Sequence, residues 1–225
     1  MNELLNLLKK NPVFGFLTED DMNLMARQSL SRQYDKGEKV ILYGEVWPYL
    51  FLVGKGSIEA VKESGEGRTL MINAFLIGNI FWGLAFFQEN APMPVTLEAR
   101  ESSELSLWPR EMMMPILERN GRVAWELSCL MAGRMQRASE IVEELAFHPV
   151  AGRLARLLLD HFESAGDSAI SRYLTLDDMA ARIGSTREMV CRALYSFSDK
   201  KLIEVTRTEF VLTDREGLSQ VSRQS

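Results

Sequence analysis

Residues 173–205 read YLTLDDMAARIGSTREMVCRALYSFSDKKLIEV, and this stretch contains two short helical patterns that meet at Gly184. Apolar residues recur in both patterns at the spacing of one buried helix face. The buried positions are Leu176, Met179, Ala180 and Ile183 in the first pattern and Val190, Ala193, Leu194 and Phe197 in the second. Two short helices joined by a glycine turn form a helix-turn-helix, whose second helix enters the major groove of DNA.

Each of the two helices carries a start signal. Thr175 precedes Asp178 by three residues, and Ser185 precedes Glu188 by three. In a capping box of this spacing, the hydroxyl and the carboxylate satisfy backbone N–H groups of the first helical turn. We therefore expect one helix to begin after Thr175 and the other to begin after Ser185.

The exposed face of the second helix carries charged side chains in its first two turns. Arg187, Glu188 and Arg192 lie roughly opposite the apolar face. Arginine reads guanine through two parallel hydrogen bonds, and glutamate accepts one from cytosine. A carboxylate that faces a polyanion is unfavourable without compensation, so Glu188 suggests base reading as well as capping. The alternative at this point is a plain helical hairpin with a solvated charged face.

A small hairpin is predicted after the second helix. The apolar runs 202–205 and 210–212 are joined by the polar residues 207–209, as in the wing of a winged helix. The run Ile-Gly-Ser-Thr-Arg-Glu-Met-Val-Cys-Arg-Ala-Leu at 183–194, followed by Lys-Leu-Ile at 201–203, closely resembles the DNA-binding end of the Crp/Fnr family of bacterial transcription regulators. The rest of the chain can be compared with that family.

Composition is ordinary for a globular protein of one large or two modest domains, with 225 residues, 46% hydrophobic and 25% charged. Residues 149–225 hold 11 of the 26 basic and 11 of the 31 acidic residues, which leaves 15 and 20 in the first 148. The predicted DNA-binding end is therefore neutral and needs its basic residues clustered. The candidates for that cluster are Arg182, Arg187, Arg192, Lys200, Lys201 and Arg207.

Several classes of protein are disfavoured by what the chain lacks. The longest apolar stretch, residues 74–87, is too short to span a bilayer, and the N-terminus has no basic segment of a secretory signal. The two cysteines, Cys129 and Cys191, are far apart, which argues against a disulfide framework or a cysteine-ligated metal. We expect a cytoplasmic protein with no membrane partner and no metal site.

Residues 31–108 have the texture of an all-β domain. Short apolar runs such as 40–42, 50–53 and 70–72 alternate with glycines, a spacing typical of a sandwich or barrel. Lys36-Gly37-Glu38, Val53-Gly54-Lys55-Gly56-Ser57-Ile58 and Gly78 resemble the β-roll of cyclic-nucleotide-binding domains. The resemblance implies that a sensor ligand sits inside this roll.

The expected ligand-binding stretch departs from that family. Relatives that bind cyclic nucleotides carry Gly-Glu-Leu and later Arg-Ser or Arg-Thr, in which the Glu takes the ribose and the Arg takes the phosphate. This chain has Trp82 in the glycine position, Gly83 in the Glu position and Met93-Pro94 in place of the later pair. A buried phosphate without a cation is costly, so cyclic AMP or cyclic GMP is not expected in the usual mode.

Two interpretations of the altered stretch stay open. In one, aromatic and methionine side chains fill the roll and no ligand binds. In the other, a small apolar or aromatic effector, or haem, occupies the roll. Histidine ligation of haem there is disfavoured because His148 and His161 lie outside the roll, while ligation by cysteine or a backbone nitrogen stays open. The candidate effector residues are Trp82, Gly83, Leu84, Ala85, Phe86, Met93 and Val95, with Arg134 and Ser139 from the helix that follows.

One long helix is predicted from about residue 122 to 147, ended by His148-Pro149. Apolar or small residues recur at 124, 127, 131, 138, 141 and 145, a seven-residue repeat interrupted at Arg134, which indicates the seam of a parallel homodimer. The predicted dimer contacts are Leu127, Met131, Ala138, Ile141 and Leu145. A second stripe of Trp125, Met135 and Val142 predicts that the helix also packs on its own roll. Nucleotide-binding relatives place Thr-Ser late on this helix, where this chain has Ala138-Ser139.

The resemblance covers nearly the whole chain and predicts an α+β protein. Its expected parts are an N-terminal β-roll similar to the cyclic-nucleotide-binding jelly roll (1–120), a dimerisation helix (121–147) and a winged helix-turn-helix (148–225). The hinge between helix and winged domain would let an effector change the spacing of two recognition helices.

The resemblance further implies a homodimeric regulator that binds double-stranded DNA and contacts RNA polymerase. The operator would be palindromic with TGA-containing half-sites. Arg187, Glu188 and Arg192 match the family's base-reading positions, and the other expected DNA contacts are Ser185, Thr186, Lys200 and Lys201.

Two alternatives to an effector-switched regulator are kept. One is a constitutive regulator of the same family, and the other is an effector-binding protein whose winged helix makes protein contacts. An enzyme is not expected, because the sequence contains no paired catalytic carboxylates, nucleophile motif or phosphate loop.

Overall fold

The computed structural model describes residues 2–165, 169–171 and 174–223. The helices are α1 (Asn2–Lys10), α2 (Glu19–Gln28), α3 (Arg110–Arg119), α4 (Gly121–Phe147), α5 (Val150–Ala165), α6 (Leu176–Ile183), α7 (Arg187–Asp199) and α8 (Arg215–Ser222). The strands are β1 (Leu30–Tyr34), β2 (Lys39–Ile41), β3 (Tyr49–Lys55), β4 (Ile58–Glu63), β5 (Thr69–Phe75), β6 (Ile80–Trp82), β7 (Thr96–Ala99), β8 (Ser103–Pro109), β9 (Ala169–Ser171), β10 (Ile203–Val205) and β11 (Glu209–Leu212). Short 3-10 turns lie at Phe14–Phe16 and Leu84–Phe86.

The chain divides into two compact units. One unit comprises Met1–Lys62 and Ile72–Gln136, and the other comprises Glu63–Met71 and Arg137–Ser225. The division falls inside α4, after its first 16 residues, rather than at either end of that helix.

The first unit is built on a β-roll of two four-stranded antiparallel sheets. The strand orders are β1-β8-β3-β6 and β2-β7-β4-β5. Strand β3 is the centre of the first sheet, where Phe51 pairs with Leu107 of β8 on one side and with Phe81 of β6 on the other. Inward residues alternate along the strands because successive side chains point to opposite faces. One core cluster therefore fills the roll with Phe51, Phe75, Leu97, Leu105 and other buried residues.

The N-terminal helices close the roll on its other face. Leu8, Phe14 and Met25 are fully buried together with Trp108, and the indole N–H of Trp108 donates to the carbonyl oxygen of Met25 at 2.8 Å. Thr18 caps α2 by accepting from the backbone N–H of Asp21 at 3.2 Å. The start of α4 joins the same core, so α4 is anchored to the roll at its N-terminal end.

The second unit has a separate core. Helices α5, α6 and α7 pack around Leu158, Met179, Val190 and Phe197, and the antiparallel sheet β10-β11-β9 lies against them. The helix α8, which the sequence reading does not predict, begins at Asp214, whose carboxylate accepts from the N–H of Gly217 at 2.9 Å.

The α+β architecture of roll, long helix and winged helix-turn-helix is confirmed. A strand that the sequence also favours at 172–174 falls mostly on residues that the structure does not describe. Strand β9 (Ala169–Ser171) precedes it, and Leu174 lies in a bend. Positions 172 and 173 lie outside the described residues.

Candidate nucleic-acid interface and sensor site

The helix-turn-helix is formed by α6 and α7, and its turn depends on one glycine. Thr175 and Asp178 form the predicted capping box at the start of α6, with the Thr175 N–H donating to the Asp178 carboxylate at 3.0 Å. Gly184 ends α6 in the left-handed conformation with φ +61°. Glycine adopts that conformation without the steric cost that a Cβ brings, so the sequence turns sharply here.

The start of α7 differs from the start predicted from the sequence. The N-cap is Thr186, whose hydroxyl accepts from the N–H of Met189 at 3.3 Å, and not Ser185. The helix therefore begins one residue later than predicted, at Arg187. The carboxylate of Glu188 does not reach back to close a capping box and instead pairs with Arg192 one turn further along.

The outer face of α7 is charged and accessible. Arg187, Glu188 and Arg192 are all exposed, with Arg192 and Glu188 each 70% accessible at the side chain. Arg187 makes a second ion pair, to Asp177 of α6 at 3.3 Å. Exposed ion pairs contribute little to stability, so both guanidinium groups can exchange these partners for a ligand at small cost.

The opposite face of α7 is buried as predicted. Val190, Ala193, Leu194 and Phe197 are all below 9% exposed and lie in the core of this unit. The burial fixes the rotation of α7, and it leaves the charged face turned away from the core.

The other expected DNA contacts lie at the two ends of α7. Ser185 and Thr186 are half-buried at its start, while Lys200 caps its C-terminus and Lys201 follows with a positive φ of +56°. The β10–β11 hairpin forms the predicted wing. Its turn is closed by Thr206, whose hydroxyl accepts from the N–H of Glu209 at 2.9 Å.

In the roll, the position that would carry the ribose-binding Glu is blocked. A Cβ placed on Gly83 would collide with the carbonyl oxygen of Trp47 and would stand 2.8 Å from that residue's Cβ. Trp47 is 6% exposed and packs edge-on against Tyr49 and Phe51. Its indole N–H is buried without a hydrogen-bond partner among the described residues. A ribose-binding side chain at position 83 therefore has no room.

The predicted effector residues do not converge on one cavity. Leu84 and Met93 line a cavity of about 540 Å³ together with Tyr43, Lys62 and residues 88–94. Trp82, Gly83, Ala85, Phe86 and Val95 are buried in the packed interior and do not line it.

The two helical members of the predicted effector set are also apart. Arg134 stacks on Trp82, at 4.1 Å from the ring centroid, while Ser139 is exposed on the later part of α4. The cavity beside Leu84 and Met93 is therefore lined by no arginine that could bind a phosphate. Its cationic lining residue is Lys62.

Helix α4 presents two different stripes. Val123, Leu127, Leu130 and Arg134 face the roll, and Leu127, a predicted dimer contact, is 3% exposed in that core. The expectation that Trp125, Met135 and Val142 pack on the roll is wrong, because these side chains are 62%, 73% and 65% exposed. The other predicted dimer contacts are exposed or half-buried: Met131, Ala138, Ile141 and Leu145.

The described part of the chain contains no cluster of three or more histidine, cysteine or carboxylate side chains that could hold a metal ion. Cys129 is exposed on α4 and Cys191 is half-buried on α7, so neither lies inside the roll. None of the helices in the described ranges combines the length and the apolar character that a membrane span needs.

Comparison with known proteins agrees with both halves of this arrangement. Residues 31–120 match the cyclic nucleotide-binding domain, and residues 152–221 match the Crp-like helix-turn-helix domain. Together the two matches cover more than half of the chain.

Characterised relatives span most of the chain. The cAMP-activated global transcriptional regulator Vfr of Pseudomonas aeruginosa is 25% identical over 181 residues, covering 77% of this chain and 85% of Vfr. The cAMP-activated global transcriptional regulator CRP of Escherichia coli is 26% identical over 175 residues, covering 76% and 83%. The solved structure of the c-di-GMP-responsive global regulator CLP of Xanthomonas campestris superposes with a TM-score of 0.76 at 20% identity, covering 87% and 99%. This chain belongs to the Crp/Fnr family and is a DNA-binding transcription regulator of that type.

Proposed function

We propose that two copies of this chain bind one operator, with their α7 helices in successive major grooves. In such a dimer the half-sites are roughly palindromic and about one helical turn apart. The observation that carries the proposal is the start of α7, where Arg187, Glu188 and Arg192 are exposed together on the face turned away from the core.

In this proposal each charged residue of α7 has a role. Arg187 and Arg192 donate to guanine, and Glu188 accepts from cytosine, which fits the TGA-containing half-site that the family resemblance implies. Ser185 and Thr186, at the N-terminal end of α7, are placed for phosphate contacts because helix N-termini favour anions. Lys200 and Lys201 would add sequence-independent contacts, and each phosphate neutralised steepens the salt dependence by about 0.9 in log–log slope.

The exposed stripe of α4 is our proposed dimer seam. Met131, Met135, Ala138, Val142 and Leu145 are separated by four, three, four and three residues. That alternation is the heptad spacing of a two-stranded coiled coil, and exposed apolar side chains in a row favour an interface. The seam keeps Met131, Ala138 and Leu145 of the contacts expected from the sequence. It omits Ile141 and also Leu127, which faces its own roll, and it adds Met135 and Val142.

We do not assign a cyclic nucleotide in the usual mode, although Vfr and CRP are cAMP-activated and CLP responds to c-di-GMP. Position 83 has no room for a ribose-binding side chain, and the position of the phosphate-binding arginine is the buried Met93. The sensor is either a different small molecule in the cavity beside Leu84 and Lys62 or no diffusible ligand at all. The proposal includes contact with RNA polymerase, a place in the bacterial cytoplasm and no catalytic activity.

Selection from random-sequence duplex DNA with the purified full-length protein tests this function. The expected result is one enriched motif with two inverted TGA-containing half-sites, bound more weakly as salt rises. A protein whose winged helix makes only protein contacts would enrich no motif, and that result would contradict the proposal. The same selection in the presence of small molecules extracted from the host compares switched with constitutive regulation.

A further inference from the structure

The guanidinium of Arg134 sits in a cage of aromatic rings. Its central carbon lies 4.1 Å from the ring centroid of Trp82, 5.2 Å from that of Phe75 and 5.4 Å from that of Phe81. Phe75 and Phe81 are themselves in contact, with centroids 4.7 Å apart. Cations bind to ring faces at these distances, and the attraction strengthens as water is removed.

The cage also supplies a hydrogen-bond acceptor. A terminal N–H of Arg134 donates to the backbone carbonyl oxygen of Ile80 in β6. Among the described residues, no carboxylate forms an ion pair with Arg134, so ring faces and one carbonyl oxygen compensate its charge. Burial lowers the pKa of Arg134 to about 10, and the group is therefore still charged at neutral pH.

This contact holds one turn of α4 at the edge of the roll. Arg134 continues the stripe of Val123, Leu127 and Leu130 that faces the roll. Met131 and Met135, which belong to the proposed dimer seam, lie on the flank of the same turn, next to the stripe that faces the roll. Because α4 is one continuous helix, the cage fixes the rotation at which the seam is presented.

We propose that Arg134 is a tethered cation that fills an aromatic cage of its own roll and so replaces a diffusible ligand in coupling the roll to the dimer helix. This inference rests on the proposed function, because it specifies how the roll supports dimeric DNA binding. Arg134 acts as a positioning residue for α4 and makes no contact with DNA. The chain would then bind its operator without any added small molecule.

The test removes the Arg134 side chain beyond Cβ and then supplies the same group as a small molecule in solution. Arg134→Ala should bind the selected operator about 5- to 150-fold more weakly than the unmodified chain, the range usual for coupling between sites. Ethylguanidinium contains the atoms lost beyond Cβ, and at millimolar concentration and constant ionic strength it should restore part of the affinity. The uncharged isostere N-ethylurea should not. Arg137→Ala is the matched control, because Arg137 is exposed and pairs with Glu140 at 3.2 Å, and it should show neither the loss nor the rescue.

A second readout does not depend on DNA. Ethylguanidinium should change the tryptophan fluorescence of Arg134→Ala saturably, and the change should disappear when Trp82→Leu is added. Arg134→Met fills the cage with an uncharged side chain and serves as a second variant if Arg134→Ala unfolds at low temperature. It should lose operator affinity, and ethylguanidinium should not restore it.

Two outcomes would overturn the inference. One is operator affinity that does not differ between Arg134→Ala and the unmodified chain, and the other is a fluorescence titration with no saturable change. Failure of the unmodified chain to bind any DNA would instead contradict the proposed function. The fluorescence titration would still show whether the cage binds a guanidinium.

Discussion

Glu188 and Arg192 form an ion pair across one turn of α7. The pair lies on the exposed face of the helix, and the other face is buried in the core. Each side chain is 70% accessible, so the pair orients the guanidinium without removing it from solvent. When α7 lies in the major groove, Arg192 can exchange Glu188 for a base or can contact both. The pair therefore links the two residues that we expect to read neighbouring bases.

Replacing Arg192 by alanine should relax specificity at one base pair. The expected loss is about 1–3 kcal/mol of binding free energy on the selected operator, because a bidentate contact with guanine is removed. Fluorescence anisotropy on operators with each base at that position measures the effect. An equal loss on all sequences would show that Arg192 contacts only phosphate.

Replacing Glu188 by glutamine tests the carboxylate separately. The amide keeps the shape of the side chain but gives up the charge that orients Arg192, so the preferred base should change more than the non-specific affinity. Repeating the random-sequence selection with the variant measures this. An unchanged motif would limit Glu188 to the intrahelical pair seen here.

The assignment of the helix cap predicts opposite results for two adjacent hydroxyls. Thr186→Ala should lower the free energy of unfolding by about 1 kcal/mol, because the N–H of Met189 loses its acceptor. Ser185→Ala is the control and should have little effect, since Ser185 is not the N-cap. Urea denaturation followed by circular dichroism compares them, and a larger loss from Ser185→Ala would reverse the assignment.

The proposed seam predicts which face of α4 forms the dimer interface. Met135→Lys should shift the protein toward monomer, because it places a charge in the apolar seam. Gln136→Lys makes the same kind of change on the adjacent exposed position outside the seam and should leave the dimer intact. Sedimentation equilibrium distinguishes the two. A dimer unaffected by Met135→Lys would place the interface elsewhere.

Local signals made most of the DNA-binding end predictable from sequence. The capping box at Thr175, the left-handed Gly184 and the apolar face of α7 each depend on residues close in the chain. The sequence places the N-cap of α7 at Ser185, because Glu188 stands at the capping-box spacing from Ser185 and Met189 stands at that spacing from Thr186. Only the backbone path shows that Thr186 is the acceptor.

Long-range packing limited the prediction elsewhere. The sequence could not show that Trp47 lies against Gly83, 36 positions later, and so closes the ribose position. For the same reason the sequence places Trp125, Met135 and Val142 against the roll, where they do not lie. Leu127 and Met135 are both apolar, and only the position of the roll decides that Leu127 faces it while Met135 is exposed.

The most direct test of the account is a guanine methylation-protection footprint of the full-length protein on its selected operator. The account predicts two protected major-groove patches, related by the operator dyad and about one helical turn apart, with protection at one guanine per half-site lost in Arg192→Ala. A single patch, or two patches on opposite faces of the duplex, would contradict it.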